Sequence, residues 1–112
     1  MNVDNHLAEY LRIVDEYAKV NILDGLTLNN LLRDATVNQA RITNELTILE
    51  NQHNNKIQAL IITGASHAKA KNTIDAEMTD YIKLKRIADS VETTINAIRT
   101  NISYIKSERA NV

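Results

Sequence analysis

Cysteine, proline, tryptophan and phenylalanine are absent from the 112 residues, and glycine occurs only 2 times. Without cysteine there is no disulfide framework, no thiolate zinc site and no cysteine nucleophile, and a reducing compartment fits. Two isolated glycines cannot form a phosphate-cradling loop, which needs them clustered. No apolar run approaches the roughly 18 residues that suggest a membrane span. Met1-Asn2-Val3-Asp4-Asn5 has no basic segment leading into an apolar core, so no secretory signal is expected. The expected location is cytoplasmic.

Charge of one sign is also lacking. The formal net charge is −1, so the molecule is not a polycation. The balance is uneven along the chain: residues 1–66 hold five Lys/Arg against eight Asp/Glu, and residues 67–112 hold eight against six. Asn and Ile are each used fourteen times. Asn is a mediocre helix former, so this usage points to an AT-rich genome, such as that of a phage or a low-GC bacterium.

What is present is helical periodicity. One all-α domain over 1–112 is expected, with helices at about 4–20, 27–62 and 73–109. Gly25 and Gly64 mark the breaks, because glycine accepts the left-handed conformation that ends many helices. Asp4 or Asn5 can cap the first helix, Thr27 the second, and Ser66, Asn72 or Thr73 the third. In the first helix Leu7, Tyr10 or Leu11, Val14 and Tyr17 or Ala18 share a face. The link Val20-Asn21-Ile22-Leu23 is short and apolar and is expected to pack on the core.

The second helix carries a heptad seam of Leu28, Leu32, Ala35, Gln39, Ile42, Leu46, Leu49, His53, Lys56 and Leu60, flanked by Ile57 and Ile61. The seam of the third reads Ile74, Glu77, Tyr81, Leu84, Ala88, Val91, Ile95, Ile98, Ile102 and Ile105. A short helical piece over 66–71 can precede it. About 35 helical residues span about 50 Å, far beyond the usual globular helix. The architecture expected is a long antiparallel, coiled-coil-like hairpin turned at Gly64, with the short N-terminal helix folded back on it. Such a hairpin leaves its seams partly wet, so a homo-oligomer is expected. Its packing residues would be Leu46, Leu49, Leu60, Leu84, Val91, Ile95, Ile98, Ile102 and Ile105. Gln39 and His53 at seam positions either fix register or simply weaken a loose seam.

No catalytic constellation emerges. His6, His53 and His67 share no ligand spacing, so no metal or cofactor site is expected. His53 reads as a polar seam position and the other two as surface residues. Paired carboxylates such as Asp15-Glu16 sit on a solvated face, and no Ser/His/Asp set is suggested. A non-enzyme without a small-molecule substrate or a membrane role is expected. The basic residues Lys69 and Lys71, and then Lys83, Lys85 and Arg86, offer outward cations for phosphates. Asp75, Asp80 and Asp89 are interleaved with them, which also reads as an ordinary solvated face. Tyr81 and Tyr104 have two readings, stacking on bases or packing in the core.

The segments Tyr81-Ile82-Lys83-Leu84-Lys85, Ile95-Asn96-Ala97-Ile98-Arg99 and Ile102-Ser103-Tyr104-Ile105-Lys106 resemble the end of the UvsY-type recombination mediators of tailed phages. The order before them is similar too: a short helix, an irregular link, and a long helix with an acidic stretch like Glu45-Leu46-Thr47-Ile48-Leu49-Glu50. A break near a glycine and a final long helix follow. The resemblance covers most of residues 27–109 as a pattern. It implies a ring-forming oligomer that binds single-stranded DNA and helps load a recombinase while displacing single-strand-binding protein. Where the family has a basic, aromatic stretch, this chain has Lys56-Ile57-Gln58-Ala59-Leu60-Ile61-Ile62, leaving Lys56, Lys69 and Lys71 as the cations near that position. Two functions are therefore expected to compete. One is a recombination accessory that holds DNA through many weak phosphate contacts on an oligomer. The other is a helical protein–protein adaptor, such as a phage inhibitor of a host factor or a virion component, which the near-neutral charge favours.

Overall fold

The computed structural model describes residues 3–21 and 24–110, so Ile22 and Leu23 of the expected apolar link lie outside the described residues. The chain is all-α, with α1 Val3–Lys19, α2 Gly25–Ile62, α3 His67–Glu77 and α4 Thr79–Ala110. It is a rod of 68 × 25 × 18 Å. The expected antiparallel hairpin is there, formed by α2 and α4.

The turn at Gly64 closes in the geometry glycine favours. Gly64 has φ 105°, and its N–H donates to the Ile61 carbonyl while the Ala65 N–H reaches the Leu60 carbonyl. Ser66 then caps α3, its hydroxyl accepting from the Lys69 N–H. At the other end Asp24, rather than Thr27, caps α2. Its carboxylate accepts from both the backbone N–H and the hydroxyl of Thr27, bonds that hold it below the usual carboxylate range. Gly25 opens α2 instead of ending a helix. The helix α1 already begins at Val3, so Asp4 and Asn5 lie within its first turn and its cap falls outside the described residues.

The expected third helix is two. α3 ends at Met78, which has φ −107° and ψ 52°, and α4 starts at Thr79. Neither glycine nor proline marks this joint. It lets Met78 turn inward with Ile57, Ala70, Ile74 and Tyr81 in a small core, while Glu77, expected on the seam, faces solvent.

The larger core is a three-helix one. α1 runs antiparallel to α2, with Arg12 on Asp34 and His6 on Glu45, and parallel to α4. Along α4 the pairs are Asp4 with Lys83, Tyr10 with Thr94 and Tyr17 with Asn101. Val3, Ile13, Leu28, Ile42, Leu84 and Ile98 are buried together there. Each such side chain contributes about 1.5–3 kcal/mol by leaving water.

Covering by α1 explains most departures from the expected seams. A helix packed between two neighbours centres its apolar stripe between them. Leu31 and Asn38 are buried on the α1 side of α2, and Leu32 and Gln39 are only half-buried. On α4, Ile87 is buried and Ala88 half-buried for the same reason. Near the Gly64 turn α1 is absent and α3 takes over on another side. There Ile57 is buried, and Lys56, expected on the seam, is exposed. On α1 itself the buried residues are Val3, His6 and Ile13, while Leu11 is 54% exposed.

Candidate interaction surfaces

The isoleucines and leucines expected to seek another copy are largely consumed within one chain. Leu84, Val91, Ile95, Ile98, Ile102 and Ile105 are buried against α1 and α2, and Leu46, Leu49 and Leu60 are half-buried.

The six cations expected to meet phosphate are all exposed, but most face a partner within the chain. Lys71 Nζ is 2.7 Å from Asp75 Oδ2, Lys83 Nζ is 3.3 Å from Asp4 Oδ1, and Lys56 Nζ is 4.0 Å from Glu77 Oε2. Lys85 Nζ lies 5.3 Å from the centre of the Tyr81 ring, a cation–π distance. Lys69 and Arg86 have no ion pair among the described residues. Lys83 and Arg86 share an open hollow at the α3–α4 joint with Asp75, Thr79 and Ile82. Of the two tyrosines, Tyr81 is core and its phenol is pushed up by burial, then by Glu50 and Asp75. Tyr104 is 51% exposed, outside any core.

Two histidines are structural. His53, as expected, is an inward polar residue. Its Nε2 lies 2.6 Å from Asp75 Oδ1 and its ring tilts against Tyr81 at 4.9 Å. Lys71, and then His53, hold the Asp75 carboxylate below its usual range. His6 is not the surface residue expected: it is 9% exposed, with Nε2 2.9 Å from Glu45 Oε1, off the direction of a good hydrogen bond. Glu45 Oε2 and Asn38 Oδ1 are buried without a partner. His67 is exposed in the first turn of α3. Among the described residues no group of three or more His, Cys, Asp or Glu is placed to hold a metal ion. None of the helices there is long and apolar enough to cross a membrane.

The feature that sequence reasoning missed is a groove. α1 rests on a stripe of α2 that includes Asp34, Asn38 and Glu45, and on a stripe of α4 that includes Lys83, Ile87, Thr94 and Asn101. At helical spacing the first stripe continues through Leu49, Gln52 and Lys56, and the second reaches Asp80. The described part of α1, Val3–Lys19, does not cover them. Two depressions sharing Leu49 and Gln52 occupy that place: one of about 370 Å³ with Glu45 and Ile48, one of about 210 Å³ with Lys56, Met78, Asp80 and Tyr81. Ile48 beside them is 59% exposed. No sequence signal marks the groove, because its lining comes from α2, α3 and α4 together.

No protein-family model, curated protein or solved structure matches the chain.

Proposed function

We propose that this protein is a non-enzymatic helical adaptor that receives a helix of another protein on the partly apolar surface that α2 and the start of α4 form toward the Gly64 end of the rod. One observation carries the reading: two adjoining depressions that share Leu49 and Gln52 lie on that surface, with Met78 lining one and Ile48, 59% exposed, lining the other. Helix-in-groove binding is a common way to use such a surface. A photo-crosslinking residue at Ile48, introduced in the native host, should give a discrete protein adduct. The same residue at Arg99, on the far part of α4, should not. An absence of adducts at 48, or equal adducts at both positions, contradicts the reading.

A second reading, the loading of a recombinase on single-stranded DNA, is favoured by Lys69 and Arg86, whose charges have no partner in the described chain. It is the weaker of the two, because phosphates would have to compete with Asp4, Asp75 and Glu77 for three of the remaining cations. The sequence-based ground for an oligomer, a partly wet seam, corresponds to Leu46, Leu49 and Leu60, which are half-buried. Light-scattering chromatography with and without a single-stranded oligonucleotide, at two salt concentrations, separates the readings. The adaptor elutes near 12.6 kDa, unchanged by the oligonucleotide. An oligomer that binds it, with affinity falling steeply in salt, supports the mediator.

A further inference from the structure

The outward face of α2 carries an order of its own. Leu26, Val37, Ile48 and Ala59 follow one another at intervals of eleven residues. Eleven residues make three turns and about 20° more, so the four stand almost in line. Ile62 falls close to the same line at the end of the helix. All five are exposed, Leu26 at 75% and Ile62 at 84%, on the side of α2 turned away from the core. Between these apolar residues the first half of the face carries Arg33 and Arg41, and the second half Asn44, Asn51 and Asn55. Asp34, at the edge of the first half, is held by Arg12 and Arg33. From there to Ile62 no residue of this face is acidic.

We propose that this face joins two copies of the chain through an antiparallel contact of α2 with α2. With Leu26 of each copy against Ile62 of the other, the two-fold axis passes at Asn44. Ile48 then faces Ala40 of the second copy, with Val37 of that copy one turn away. The half of each face that holds Arg33 and Arg41 meets the uncharged asparagine half of the other. A parallel pairing would instead set arginine against arginine. The two Asn44 amides, facing each other across the axis, can each donate and accept, which fixes the register. Such a contact closes at two copies and builds no ring.

The area sets the strength. The line from Leu26 to Ala59 is about 50 Å long, and a helix about 10 Å wide buries roughly 1,000 Å² over the two copies. That is the lower limit for a specific contact, so a dissociation constant of about 10–100 µM is expected. On a dilute column the chain still elutes near 12.6 kDa. A nucleic acid fits this face less well, because two cations along about 50 Å are sparse against a phosphate every 3.4 Å or so of strand. The contact does not depend on the adaptor's groove. Ile48 borders both surfaces, and the test leaves it unchanged.

Sedimentation equilibrium of the full chain, from about 1 µM to about 1 mM, reads the contact directly. The mass should rise with concentration from that of one chain to that of two and stop there. It should change little between low and high salt, because no ion pair crosses the interface. Leu26→Glu and Ile62→Lys are exposed changes whose charges suit the two ends of α2, so the fold tolerates both. Each alone should weaken the dimer about tenfold. Mixed in equal amounts, the two variants should recover most of that loss, because antiparallel copies bring the new carboxylate against the new amine. Leu11→Glu, on α1, should change nothing. The mass of one chain at about 1 mM, a mass that climbs past two chains, or a mixture that pairs no better than either variant alone overturns the proposal.

Discussion

Asp75 joins α2 and α3 at the narrow end of the rod. One carboxylate oxygen meets His53 of α2 and the other meets Lys71 of its own helix, so it ties two elements where the core is small. Replacing it with Asn leaves His53, which is 7% exposed, with a poorer partner. The expected cost is about 1 kcal/mol at neutral pH. The pH dependence follows from the lowered carboxylate. A group whose folded pKa lies below its unfolded value stabilises the fold above that unfolded value, about 3.9 for Asp. That contribution disappears as pH falls through the folded pKa. Urea unfolding of Asp75→Asn and the parent should therefore differ most near pH 7 and converge toward about pH 3. A gap that stays constant down to about pH 3 would show that the carboxylate charge is not what matters.

At the scale of elements, the glycines are instructive. Gly64 was readable as a helix end, and the chain turns there with φ 105°. Nothing lies within 4 Å of where a Cβ would stand, so Gly64→Ala has room and suffers only from backbone strain. It should lower stability by about 1–2 kcal/mol, seen as a lower urea midpoint with an unchanged slope. Gly25 carried the same letter and a different job, because Asp24 beside it captures Thr27 and starts a helix. The long helices and most of their inward residues were legible from period alone, since Ile42, Leu84, Val91, Ile95 and Ile98 point inward whatever else packs nearby. Three things were not. The joint at Met78 has no breaker residue and exists because the small core needs Met78 and Tyr81 together. His6 and Ile13 turn inward only because α1 settles between two helices. The groove is lined by residues of α2, α3 and α4, which no local spacing encodes.

Over the whole molecule the two ends differ in what holds them. From Gly25 to about Glu45, α2 is enclosed by α1 and α4 and shares a core that includes Leu28, Ile42, Leu84, Val91, Ile95 and Ile98. Toward Gly64 only α3 and the first turn of α4 remain, around Ile57, Ala70, Ile74, Met78 and Tyr81. Local opening follows the apolar area that must be exposed and the number of elements that must part. α3, with 11 residues, cannot stay helical once detached, because isolated helices that short are marginal in water. Native-state hydrogen exchange should therefore find α3 and the end of α2 opening at a free energy well below global unfolding. The amides of Ile42, Leu84 and Ile98 should exchange only through the global event. An apolar-to-Ala change at Ile74 should raise exchange in α3 strongly and in α1 little, whereas Ile13→Ala should raise it throughout the three-helix end. Uniform protection along the rod would mean that the two cores unfold as one unit. The narrow end would then be as resistant to local opening as the rest of the rod.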